Sequence, residues 1–134
     1  MTSLIIVEAI GSAYATKLRA LGIRTCEQLL EQGATRKGRK QVAEGTGISE
    51  KLVLEWVNHV DLFRIRGVQE QYAQLLEAAG VGTVPELAKR NAENLYQKLL
   101  AVNLEKGLVR QAPTRAKIVD WIERAKQLRR VITY

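Results

Sequence analysis

Cysteine and histidine occur once each in this chain, as Cys26 and His59. A single cysteine excludes an internal disulfide and a CxxC redox or zinc pair. With a single histidine as well, no multi-Cys or multi-His metal set can form within one chain, and no cofactor is expected. Phosphate loops of the GxxxxGK[ST] or GxGxxG type are missing. Carboxylates are scattered, with none paired at catalytic spacing. The expectation is a protein that is not an enzyme and has no small-molecule substrate. No apolar run approaches the length of a membrane span. Leu4-Ile5-Ile6-Val7 is far too short for a secretory h-region, and no basic residue precedes it. A cytoplasmic protein without a membrane partner is expected.

What is present is ordinary in bulk and unusual in pattern. The apolar share, 46 %, suits a globular chain rather than a disordered one. Lys and Arg number 21 against 14 Asp and Glu, for a net charge of +7. That surplus favours a polyanionic partner, most often nucleic acid, although it also serves solubility alone. Residues 7–30, VEAIGSAYATKLRALGIRTCEQLL, are echoed 58 positions later by residues 65–88, IRGVQEQYAQLLEAAGVGTVPELA. Tyr14, Ala15, Leu18, Ala20, Gly22, Thr25 and Leu29 face Tyr72, Ala73, Leu76, Ala78, Gly80, Thr83 and Leu87 without a gap. A second echo matches residues 53–57, VLEWV, with residues 118–122, IVDWI, now at an offset of 65. The chain reads as an internal duplication. Units of this size bury a core only marginally when alone. Two units, 1–63 and 64–134, are therefore expected to pack together.

Helix punctuation supports an almost wholly α chain. Ser12 is placed to cap a helix from Ala13, with Tyr14, Leu18 and Leu21 as its inward stripe and Gly22 as its stop. Thr25 and Thr35 cap the next two helices; the second is about 36–44, with Gly38 as a weak point. A tight turn at 45–48 precedes a long helix from Ser49 to about Phe63, whose inner face is Val53, Trp56, Val57 and Val60. In the second half, Tyr72, Leu75, Leu76 and Ala79 point inward before Gly80. Thr83, Asn91 and Thr114 cap three further helices. Pro85 is tolerated in the first turn of one; Leu95, Leu99, Leu100 and Val102 line another. Residues 105–113 read as a loop. Trp56, Trp121, Tyr14 and Tyr72 are expected in the core. Cys26 aligns with Val84, as a small buried residue; His59 aligns with Arg124, as a solvent-facing one.

The phrase Ile10-Gly11-Ser12-Ala13-Tyr14-Ala15, with Leu18, Leu21-Gly22-Ile23, Thr25 and Leu29-Leu30, resembles the helix-hairpin-helix superfamily. Residues 46–51, TGISEK, resemble the second hairpin of a double helix-hairpin-helix domain. Over its whole length the chain resembles a prokaryotic family classed as a domain of unknown function and built of two such domains in tandem. The resemblance implies an all-α fold, two SAM/helix-hairpin-helix-like bundles, the second more divergent. It also implies sequence-independent binding of duplex DNA. In such hairpins a Gly-apolar-Gly turn brings backbone amides to a phosphate at a helix start, an anion site in physical terms.

Four turns match that position: Ala9-Ile10-Gly11, Gly47-Ile48-Ser49, Gly67-Val68-Gln69 and Ala112-Pro113-Thr114. The first three keep one glycine each, and the fourth keeps none. Gly47, Ile48, Ser49 with Lys51, and Gly67, Val68 with Arg66, are the candidate phosphate contacts. Arg36, Lys37, Arg39 and Lys40 form the densest basic cluster, at a helix start where their charge opposes the dipole. They are the candidate phosphate patch; a solvated charged face is the other reading. A protein-interaction or scaffold module with degenerate hairpins is the alternative function.

Overall fold

The computed structural model describes residues 2–134, apart from the side chain of Ile5. It is all-α, with an isolated bridge between Ser3 and Thr25 and no strand among the described residues. Two compact units divide the chain: Met1–Asp61 with Val131–Tyr134, and Leu62–Arg130. The first contains a 3-10 turn at Leu4–Ile6, then α1 (Gly11–Ala20), α2 (Cys26–Gly33), α3 (Arg36–Thr46) and α4 (Glu50–Asp61). The second contains a 3-10 turn at Leu62–Arg64, then α5 (Glu70–Ala78), α6 (Val84–Ala88), α7 (Ala92–Lys106) and α8 (Arg115–Gln127). The element order is the same in both. Val131–Tyr134, which the sequence offsets assign to the second unit, belongs to the first. The Thr133 amide donates to the Ala34 carbonyl at 2.8 Å, and Ile132 is buried.

Local chemistry explains most helix boundaries. Thr25, Thr35, Thr83, Asn91 and Thr114 each accept a hydrogen bond from the backbone amide three residues on. Each such cap contributes about 1 kcal/mol. At Thr25 the bond is reciprocal, because the Gln28 side chain accepts from the Thr25 and Arg24 amides. α1 and α5 close identically. Gly22 donates to Arg19 and Ile23 to Leu18, as Gly80 donates to Glu77 and Val81 to Leu76. This double closure requires a left-handed residue, and φ is +92° at Gly22 and +91° at Gly80.

Several boundaries differ from the sequence reading. Ser12 caps nothing; it lies inside α1, whose N-cap is Ile10 without a side-chain bond. The positive φ of Gly11 turns the chain one residue earlier. α3 continues through Gly45 to Thr46, and Gly47 alone forms the left-handed stop. α4 ends at Asp61, where the 3-10 turn takes over. α7 runs to Lys106, two residues into the expected loop, and ends on left-handed Gly107. Gly38 is no weak point. A Cβ there would collide with the Gln32 carbonyl, so glycine lets α3 start close against the end of α2.

Each unit has a buried interior. Leu18, Leu29, Val53, Trp56 and Val57 are buried in the first; Leu76, Leu87, Leu95, Leu99, Ile118 and Trp121 are buried in the second. Full burial of such a side chain contributes about 1.5–3 kcal/mol. The aromatic pairs match between units. Tyr14 and Trp56 have ring centroids 5.1 Å apart at 56°, and Tyr72 and Trp121 are 5.2 Å apart at 60°. Tilted pairs of this kind add about 0.5–1.5 kcal/mol beyond area. Tyr14 is nonetheless 36 % exposed and Leu21 44 %, because Ala15 and Leu18 form the buried face of α1. Tyr72 is half-buried, and Leu100 points outward. Among the described residues no helix is long and apolar enough to cross a membrane.

Candidate nucleic-acid interface

Thr35 accepts the Gly38 amide at 3.0 Å and so fixes the start of α3 and the directions of its basic side chains. Arg36, Lys37 and Lys40 are exposed. Arg39 is not. It is 5 % exposed, and its guanidinium donates to the carbonyls of Gly33 at 2.8 Å, Ala34 at 3.2 Å and Thr133 at 2.7 Å. Those groups include orphan acceptors at the end of α2. Arg39 therefore leaves the phosphate patch and becomes an internal clasp for residues 131–134. A signal for this was present: Val42 lies one helical turn after Arg39, and these two are the buried residues of α3.

Arg36 and Lys51, from separate helices, line one open groove of about 330 Å³ together with Arg39, Glu50, Leu54 and Tyr134. The Gly47-Ile48-Ser49 turn leads directly into this face. Gly47 has φ +75° and donates to Ala43. Ile48 is buried, and its amide donates to the Thr46 hydroxyl at 3.2 Å. Ser49 accepts from the Leu52 amide at 3.2 Å, which caps the helix. Gly47, Ser49 and Lys51 are exposed; Ile48 is an apolar anchor whose amide is already engaged. Glu50 stands in the first turn of α4, where its charge suits the helix dipole and opposes an incoming anion.

The corresponding turn of the second unit has the same internal accounting. Gly67 has φ +93°, and a Cβ there would lie 3.3 Å from the Trp121 indole nitrogen. Val68 is buried with its amide donating to Ile65 at 3.0 Å, so it too is an anchor. Arg66 is exposed. Glu70 opens α5, is buried, and accepts from Gln74. Ile10 and Pro113 are the buried middle residues of the other two turns. In all four, the apolar position pins the turn to its unit.

Like α1, and unlike α4 and α5, α8 has no acidic residue in its first turn. Arg115 there pairs with Glu93 at 2.8 Å and lies 4.3 Å from the Tyr96 ring centre. The hydrogen bond from Arg115, then that from Gln97, holds the exposed Glu93 carboxyl below its usual range; the same bond to Glu93 raises Arg115. The charge surplus is uneven. Leu62–Arg130 carries thirteen Lys and Arg against seven Asp and Glu; the other unit carries eight against seven. The densest cluster in sequence thus sits in the nearly neutral unit.

Cys26 is buried, as its alignment with Val84 implies, and its thiol donates to the Ser3 carbonyl at 3.7 Å. His59 is 5 % exposed rather than solvent-facing, one helical turn beyond buried Trp56. No group of three or more His, Cys, Asp or Glu suited to a metal occurs among the described residues.

A model of the family described as a domain of unknown function, DUF4332, matches residues 8–128. The chain belongs to that family. The match runs from the approach to α1 to the residue after α8, so DUF4332 spans helices of both units. Tyr134 and the rest of the tail fall outside the matched DUF4332 segment. Comparison with curated proteins and with solved structures finds no match.

Proposed function

We propose that this protein is a non-catalytic, cytoplasmic DNA-binding module that holds phosphate backbone without reading sequence. One observation carries the reading: Arg36 and Lys51, on different helices, face one groove beside a glycine turn. Two cations converging on an open surface suit a chain of phosphates, whose contacts position a nucleic acid but carry no base information. The helix-hairpin-helix and duplication readings draw support from the matching element order, the paired Gly22 and Gly80 closures and the Tyr–Trp pairs. The basic surplus of Leu62–Arg130 adds long-range attraction.

Specific features favour the second reading, a protein-interaction module with degenerate hairpins. The Ile48 and Val68 amides are bonded internally, and Glu50 and Glu70 begin the helices that would receive phosphate. Fluorescence anisotropy with a short duplex at two salt concentrations separates the two. DNA binding predicts micromolar affinity falling steeply with salt. Arg36→Glu with Lys51→Glu then reduces the slope of log K against log salt by roughly two. No binding of either duplex or single-stranded DNA at low salt refutes the DNA module.

A further inference from the structure

We infer that the groove of the first unit accepts an unpaired nucleotide, its base stacked on Tyr134 and its phosphate held by Arg36 and Lys51. This rests on the nucleic-acid reading above and names the form of nucleic acid that this groove takes. Stacking needs an exposed aromatic face held in place beside cations. Trp56 and Trp121 are buried and cannot supply one. Tyr134 can: it is 62 % exposed and lines the groove with both cations.

Its ring is also held in position before any ligand arrives. The phenol hydroxyl donates to Asn58 at 2.9 Å. The preceding residue is fixed on both sides, by Thr133 donating to Ala34 and by Arg39 donating to Thr133. The Arg39 guanidinium sits 5.8 Å from the ring centre and braces it. An ordered side chain loses little freedom on binding, so stacking is not offset by a large ordering cost. Leu54 contributes an apolar lining that suits a base and not a bare phosphate. Glu50 repels phosphate but accepts hydrogen bonds from the N–H edge of a base. An aromatic ring, an apolar wall, a carboxylate and two cations match a nucleotide whose base is unpaired. Bases of an intact duplex are stacked on their neighbours and have no open face to give.

The test uses the full chain with fluorescein-labelled oligothymidylate and a mixed-sequence duplex, at low salt. Tighter binding of the single strand is expected. Tyr134→Ala should weaken single-strand binding about five- to 100-fold and duplex binding by far less, and Tyr134→Phe should retain most of the single-strand affinity. Photocrosslinking with 5-bromouracil-substituted oligonucleotide should map to Tyr134, which keeps the test independent of variant folding. Duplex binding with no single-strand preference and no Tyr134 effect overturns the inference and leaves the DNA reading intact. Crosslinking at Tyr14, Tyr72 or Tyr96 instead overturns it as well. No binding of either probe removes both.

Discussion

Replacing Arg39 separates a structural arginine from a phosphate-binding one. In Arg39→Met the aliphatic stem is kept and three hydrogen bonds are lost, to Gly33, Ala34 and Thr133. Hydrogen bonds to a charged group contribute about 1.5–3 kcal/mol each, and a buried carbonyl left without its donor costs about 1–3 kcal/mol. The Gly33 bond is buried and the other two partly buried, so the three are not fully additive. A net loss of about 3 kcal/mol is expected, against a total stability of about 5–15 kcal/mol. For a chain of this size the melting temperature falls by roughly 10 °C. Arg39→Lys should recover only part of this, since one ammonium cannot reproduce the planar fork. Hydrogen exchange at the Thr133 amide, bonded to Ala34, should accelerate in step. Lys37→Met and Lys40→Met, at exposed positions of the same helix, should stay within about 0.5 kcal/mol of the parent. If Arg39→Met melts with the parent and Thr133 exchange is unchanged, the clasp is refuted. Salt-dependent DNA affinity lost in such a stable variant would return Arg39 to the phosphate patch.

Two further outcomes test the packing and the electrostatics. Gly→Ala inside a helix ordinarily gains about 1 kcal/mol. Gly38→Ala should instead lose about 1–3 kcal/mol in urea unfolding, because the new methyl meets the Gln32 carbonyl and has no side chain to push aside. The depressed carboxyl of Glu93 predicts a stability contribution that is present above the unfolded-state pKa and lost as pH falls through the folded one. Arg115, raised from an already high value, contributes no change in this range. Glu93→Gln should therefore flatten the fall of melting temperature below about pH 4 and leave the neutral-pH behaviour nearly unchanged.

Much of the fold was legible in the sequence because it is written in short-range bonds. Thr25, Thr35, Thr83, Asn91 and Thr114 cap with an amide three residues away, and Gly22 and Gly80 stop helices through their own backbones. The stripe of α4 was equally plain, since Val53, Trp56, Val57 and Val60 recur at helical spacing. What stayed hidden depends on distant partners. Arg39 looks like its neighbours until Thr133, 94 residues on, arrives to accept its hydrogen bond. Tyr134 meets its partner Asn58 across 76 positions, beyond the reach of any local pattern. His59 was misplaced by alignment to Arg124, a comparison that presumes both long helices bury the same arc. The candidate site was half visible: Arg36 and Lys51 were nominated separately, and only folding puts Glu50, Leu54 and Tyr134 around them.

The docking of residues 131–134 on the first unit also sets an order of events during synthesis. Helices α1 to α4 emerge first and can cap and stop themselves with local bonds, yet the clasp around Arg39 waits for a segment made after all of Leu62–Arg130. Closing a loop that long costs entropy that local pairing does not, and such contacts form late. Until then the charged guanidinium has two of its three carbonyl partners and one open position. The first unit thus stays incomplete until residues 131–134, which follow the whole of Leu62–Arg130, reach it.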